Sequence, residues 1–192
     1  MYKNEYNEQD IESLRRKVKT LQNPKTGVYD FKNFGTQGIG HLALALSENY
    51  VEATKEYNDP YSDNHYTLQS LESMKDKGGS KLEYDHIIPL QEVWDRAGYG
   101  WSEEKKTKFV FDLRVGVVTS SEINNNKKKS SLVNFLNNPV FKGDKRSFCL
   151  SWLVIAVEYD IPLTQGEINE IDNKLLKNGS FPAKVINPIK PW

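Results

Sequence analysis

Residues 147–159, SFCLSWLVIAVEY, are apolar around almost the whole circumference that a helix would present. Such a helix has no face for water and must be enclosed by the rest of the chain. A bilayer is not its alternative home. The longest apolar stretch, residues 148–157, is broken by Ser151 and falls far short of the roughly 20 residues that span a membrane. The sequence therefore predicts one buried helix with other elements arranged around it. A chain of 192 residues, 38% of them hydrophobic, can build that core in one domain or in one domain with a small appendage.

The enclosing elements follow from spacing. Ile11, Leu14, Val18 and Leu21 predict an amphipathic helix over 8–22, ended by the turn sequence NPKTG at 23–27. Ile39, Leu42, Leu46, Tyr50 and Ala53 predict a second over about 38–57. A polar loop, 58–65, precedes a shorter helix carrying Tyr66, Leu68, Leu71 and Met74 up to Gly78 and Gly79. Beyond the glycines the pattern changes. LEYDHIIPL (82–90) reads as a strand ending at Pro89 and LRVGVVT (113–119) as a second, and Ser102 caps a helix between them with acids first and lysines later. Thr119 and Glu122 have capping-box spacing, so a helix carrying Ile123, three asparagines and three lysines should follow the second strand. Thr164 and Glu167 open another, carrying Ile168, Ile171, Leu175 and Leu176 and stopping at Gly179; the proline-rich tail is expected to be extended. The fold class is α+β, with a helical region of unassigned role at 1–80, a strand–loop–strand–helix unit at 81–131, and C-terminal helices at 132–192 packed on that unit.

Composition narrows the function classes. The single cysteine, Cys149, excludes an intramolecular disulfide framework and a cysteine-cluster zinc site, and its place in the apolar helix marks it as inert core. The start, MYKNEYNEQD, has no apolar signal region, so a soluble, cytoplasmic protein is expected, with no membrane partner. Twenty-six basic side chains balance 26 acidic ones, yet residues 96–146 hold eleven Lys and Arg against five Asp and Glu. That local surplus suits phosphate binding and equally suits a solvated lysine-rich surface.

Chemistry concentrates in the middle unit. Asp85 and His86 lie on the first strand, Asp112 opens the second, and Asn124 and Lys127 share a face of the following helix. The hard oxygens of Asp85 and Asn124 suit one Mg²⁺ that keeps several waters and grips a phosphate; Mn²⁺ suits the same donors. Adjacent strand side chains alternate, so His86 points away from Asp85 and can serve as a general base. Lys127 can hold a phosphate oxygen as a point charge. Each residue also has a plainer role open to it: a structural strand-end histidine, a turn aspartate before the strand, a polar asparagine with Asn125 as its alternative register, and a solvated lysine run. His41 follows the glycine-rich string GTQGIG without the strand or GK[ST] of a phosphate loop, and His65 has no assigned role. Trp94, Tyr99 and Trp101 suit packing better than base stacking.

At these positions the chain resembles the HNH family of ββα-metal nucleases. The likeness covers roughly 82–131, with YDHIIPL similar to the family's first strand and INNNKKKSS to its N-x-x-K helix. A weaker likeness to DUF1524-like HNH proteins continues to about 178. The resemblance implies a ββα-metal unit embedded in flanking helices. In it Asp85 and Asn124 are metal ligands, His86 activates water, Lys127 lies near the phosphates, and Asp112 stands where an asparagine normally braces the loop and orients the histidine. It implies a divalent-metal-dependent endonuclease that cuts DNA, double-stranded by expectation, to 5′-phosphate and 3′-hydroxyl ends. The setting would be a restriction, phage or mobile-element nuclease, and a homodimer is left open. The alternative is a non-catalytic module that binds nucleic acid or a partner through a degenerate motif.

Overall fold

The structure is a computed structural model that describes residues 3–21, 56–67, 82–177 and 180–186. Its elements are β1 (Glu5–Tyr6), α1 (Glu8–Lys19), β2 (Glu56–Asn58), β3 (His65–Thr67), β4 (Leu82–His86), α2 (Leu90–Arg96), α3 (Glu103–Phe111), β5 (Gly116–Ser120), α4 (Ser121–Lys127), α5 (Leu132–Leu136), α6 (Lys145–Glu158), α7 (Gln165–Ile171) and β6 (Ala183–Lys184). Among the described residues the strands pair antiparallel in three two-stranded sheets, β1 with β6, β2 with β3 and β4 with β5. Helices with small antiparallel sheets make this a mixed α and β protein. Among the described residues no helix is long and apolar enough to cross a membrane.

The all-apolar segment forms α6, and every residue from Phe148 to Val157 is buried. Around it lie α1, α5, α7, β6 and the 3₁₀ turn Leu113–Val115. Its one polar interior residue is satisfied on both sides: Ser151 Oγ donates to Ser147 O at 2.9 Å and accepts from Ile186 N at 2.9 Å. That second bond fastens the C-terminal strand segment to the core helix. Cys149 is buried here and burial pushes its thiol pKa up, so it is unreactive core.

Helix ends follow sequence chemistry. Asn7 and Asp10 make a reciprocal capping box on α1, as do Thr164 and Glu167 on α7. Glu167 Oε2 also accepts from Arg96 of α2 at 2.6 Å, so one buried carboxylate caps α7 and ties it to a second helix. The box expected at Thr119 and Glu122 is replaced. Ser120 caps α4 through Ile123 N, one residue later, because Thr119 is still buried in β5 with its hydroxyl on Asp59.

Other boundaries also move. The first predicted strand stops at His86, not Pro89, and Pro89 is instead the N-cap of α2, whose Val93 and Trp94 are buried. The second starts at Gly116, after the 3₁₀ turn. Gly116 pairs with His86, and a Cβ there would lie 2.4 Å from the Tyr84 ring and 2.7 Å from the Asp85 carbonyl, so only glycine lets the strands close. After Ile171 the last helix widens into a π-helical turn, Asp172–Lys177. The predicted helix over 38–57 lies outside the described residues as far as 55. Its last two positions, 56 and 57, belong to β2, and Tyr66, assigned to the next helix, belongs to β3 with His65. The NPKTG turn, His41, Leu68, Leu71, Met74 and the Gly78–Gly79 break also lie outside the described residues.

The β2–β3 hairpin holds β5 from the side. Tyr57 OH donates to Val118 O at 2.7 Å and accepts from Val118 N at 3.0 Å, taking both backbone groups of that residue. Its turn residue Asp59 accepts from Tyr61 N at 2.9 Å and from Thr119 Oγ1 at 2.8 Å. Tyr57→Phe should keep the ring packing but leave the Val118 groups unsatisfied, costing about 1–3 kcal/mol in urea unfolding.

Candidate active site

Strand alternation sends Glu83 and Asp85 to one face of β4, Tyr84 and His86 to the other. On the first face lies α4, whose last turn reaches the strand's end. Lys127 Nζ stands 2.8 Å from Asp85 Oδ2 and donates to the His86 carbonyl at 2.6 Å. Its side chain is 0% exposed, against 9% for Asp85. Tyr61, from the turn between β2 and β3, donates its hydroxyl to the same Asp85 oxygen at 2.9 Å. Tyr61 is itself enclosed by Phe135, Phe141 and Phe148. Burial raises the Asp85 pKa and lowers that of Lys127, and their mutual attraction opposes both shifts.

One turn earlier on α4, Asn124 Nδ2 donates to Glu83 Oε2 at 2.7 Å. Asn125 is exposed, so the helix face turned to β4 carries Asn124 and Lys127. Lys128 then ends the helix with φ at +46°, a conformation that side chains rarely adopt, and Lys128 and Lys129 are exposed. Lys127 thus differs from the sequence expectation of a phosphate-reaching lysine: its ammonium is turned inward onto Asp85. The exposed cations at this helix end are its two neighbours.

On the opposite face the His86 ring lies parallel to Phe109, centroids 5.8 Å apart, and meets Tyr84 edge-on at 5.5 Å. Phe109 in turn packs on Tyr159 and Trp101. The histidine is 6% exposed, with its ring plane fixed by these neighbours. Asp112 follows α3 rather than opening β5. Its carboxylate accepts from Arg114 Nε at 2.7 and 2.9 Å, from Arg114 N at 3.0 Å and from Tyr159 OH at 2.6 Å. It therefore braces the turn into β5. Its link toward the histidine runs through Tyr84, whose hydroxyl donates to the Asp112 carbonyl at 3.2 Å. Of the aromatic residues between the strands, Trp94 is buried and Trp101 packs on Phe109 and Tyr159, while Tyr99 is half exposed.

The two residues expected as metal ligands have separate partners: Asp85 is on Lys127 and Tyr61, and Asn124 is on Glu83. Both close partners of Asp85 sit on Oδ2, leaving Oδ1 for a further partner. Asn124 spends its amide N–H on Glu83, leaving its own carbonyl oxygen as acceptor. Among the described residues no three His, Cys, Asp or Glu side chains gather as a metal cluster. An ion at Asp85 and Asn124 would thus have few protein ligands and keep most of its water, as Mg²⁺ commonly does. Sequence reasoning named Asp85, His86, Asp112, Asn124 and Lys127, but not Tyr61 or Glu83, which touch Asp85 and Asn124. Glu83 could have been found, since it lies two residues before Asp85 on a strand and so shares its face. Nothing local marks Tyr61.

No family model matches the chain, and neither the curated proteins nor the solved structures contain a match to it.

Burial alone would raise the Asp112 pKa, but the hydrogen bonds from Arg114 and Tyr159 outweigh it and hold the carboxyl below its ordinary value. A carboxyl depressed in the folded state stabilises above its unfolded pKa, and that contribution is lost as pH falls through the folded value. Asp112→Asn should cost about 1.5–3 kcal/mol near neutral pH, where charged hydrogen bonds are lost. The difference should shrink below about pH 4, the ordinary carboxyl range, in denaturation curves measured at several pH values.

Proposed function

We propose that the chain is an HNH-type, divalent-metal-dependent endonuclease acting on DNA, with His86 as general base. One observation carries the reading. Lys127, singled out on the helix, reaches Asp85 and the His86 carbonyl, singled out on the strand 41 positions earlier, and Asn124 reaches Glu83 on the same face of that strand. The order strand, strand, helix is that of the ββα-metal unit which the sequence resembles.

In this reading His86 takes a proton from water attacking the phosphodiester in line, its ring held in plane by Phe109 and Tyr84. Asp85 and Asn124 would hold Mg²⁺ or Mn²⁺, which when bound stabilises charge on the phosphate and the leaving oxygen. Asp112 acts at one remove, fixing the turn from which β5 lies against β4. Phosphate contacts fall to Lys128 and Lys129, which are exposed immediately after the helix turn that touches His86. Lys127 stays inside. Duplex DNA as substrate, a restriction or phage setting and action as a homodimer belong to the same proposal.

A second reading is favoured by the Lys127–Asp85 ion pair: with an ammonium already on the expected metal ligand, the unit would be a nucleic-acid-binding module without catalysis. Plasmid cleavage separates the two. Wild type should nick or cut supercoiled plasmid in Mg²⁺ or Mn²⁺ and leave it intact in EDTA. His86→Ala should lose about 10²–10⁴-fold in rate, the usual worth of a general base, while still binding DNA. Full activity in that variant would remove His86 from its role, and intact plasmid beside metal-independent DNA binding would favour the module. Asn124→Ala should slow cleavage and weaken its metal dependence, with Asn125→Ala near wild type.

Phosphate binding gives a separate readout. Lys128→Ala and Lys129→Ala should each lower the slope of log affinity against log salt by about 1, measured by fluorescence anisotropy on a labelled duplex. An unchanged slope in both would place the DNA elsewhere.

A further inference from the structure

The ring of His86 belongs to a closed circuit of contacts, and one member of that circuit comes from the end of the core helix. We propose that Tyr159 is a positioning residue for His86, setting the imidazole plane through Phe109 on one side and through Asp112 and Tyr84 on the other. The inference rests on the nuclease reading, in which His86 is the general base, and concerns only the aromatic face of β4.

The circuit runs through four segments of the chain. The His86 ring lies against Phe109 of α3, with centroids 5.8 Å apart and planes 14° from parallel. Phe109 meets the Tyr159 ring edge-on at 4.8 Å. The Tyr159 hydroxyl donates to Asp112 Oδ2 at 2.6 Å, and the Asp112 carbonyl accepts from Tyr84 OH at 3.2 Å. The Tyr84 ring then returns to His86, edge-on at 5.5 Å. Tyr159 is the point where a stacked arm and a hydrogen-bonded arm meet, since one side chain carries both kinds of contact.

Tyr159 is itself fixed from outside the circuit. It caps α6, with its N–H on Ile155 O at 3.0 Å. Asp160 then turns back with φ at +56°, which lets Ile161 N reach Ala156 O at 2.7 Å. The Tyr159 side chain is 2% exposed and also packs on Trp101. The imidazole is different. The χ2 torsion of a histidine is a broad well, so its ring plane is set by what packs against it. A general base must bring a ring nitrogen within hydrogen-bond reach of the proton it takes, and a displacement of about 1 Å can cost about 10²-fold in rate. The enclosed core helix therefore supplies the fixed end of a chain of contacts whose other end is the catalytic ring.

The test is Tyr159→Phe, which keeps the ring on Phe109 and removes only the bond to Asp112. Metal-dependent duplex cleavage by this variant should fall about 10- to 100-fold in kcat, with KM and the affinity for DNA unchanged. A second readout needs no activity: the Cε1–H cross-peak of His86 in a carbon–proton NMR spectrum, one of three histidines, identified by its loss in His86→Ala. In Tyr159→Phe that peak should move and broaden, because the ring shifts against Phe109 and Tyr84. Tyr84→Phe breaks the same arm at its other bond, so the two substitutions together should cost little more than either alone. Wild-type kcat, a raised KM with unchanged kcat, or an unmoved peak in folded Tyr159→Phe would overturn the inference and leave the nuclease reading standing. If Tyr159→Phe does not fold, Tyr84→Phe decides by the same two readouts. A wild type that cuts no DNA removes the nuclease reading, and this inference with it.

Discussion

Everything in this fold depends on enclosing α6. A helix whose residues from Phe148 to Val157 are all buried has to be covered on every side. The chain does this with material from both ends: α1 from the start, α7 and β6 from the finish, and α5 and the 3₁₀ turn from between. The enclosure also explains where polar atoms are allowed. Ser151 lies within the helix with its hydroxyl satisfied by Ser147 and Ile186. The same demand sets the aromatic cluster of Phe135, Phe141 and Phe148, on which Tyr61 rests. Apolar burial is thus the constraint from which the positions of the polar groups follow.

The candidate site grows out of that core rather than being set on it. Tyr61 spans the two, with its ring in the aromatic cluster and its hydroxyl on Asp85. Asp85 in turn meets Lys127, which is flanked by the rings of Tyr61 and Phe135. Buried ion pairs give little net stability, because the desolvation of both ions offsets their attraction. What such a pair does supply is fixed geometry: one carboxylate oxygen is committed inward to Lys127 and Tyr61. On the far face of the same strand, stacking on Phe109 sets the His86 ring plane. A five-residue strand thus separates a charged face from an aromatic one, and strand alternation alone is responsible.

Helix positions were mostly visible in the sequence where caps and periodicity agree, as at Asn7 with Ile11 and Val18, or Thr164 with Ile168 and Ile171. The hairpin of β2 and β3 was not. Its strands are three residues long, too short for periodicity to register, and they are held by partners such as Val118, 61 residues away. The missed helix α2 is different, since Leu90, Val93, Trp94 and Ala97 do carry helical spacing. There the proline before it was read as the end of a strand and the helix was overlooked. Within the site, Asp85, His86 and Asn124 were legible because strand and helix periods place them. The partners of Asp112 and the inward turn of Lys127 were not legible, because a lysine in a KKK run looks solvated unless its burial is known.

What the sequence by itself determined is most of the helices, the two longer strands and the residues on each face of them. Spacing fixes which side chains share a side of a helix or strand, and capping chemistry fixes where helices start. The tertiary structure decided the pairings between faces: that Asp85 receives an ammonium and a tyrosine hydroxyl, that Asn124 lands on Glu83, and that Asp112 turns to Arg114 and Tyr159. The physical reason is range. Backbone periodicity acts over a few residues, whereas the burial of a charge is set by everything packed around it, and here those groups come from segments 24 to 47 positions apart.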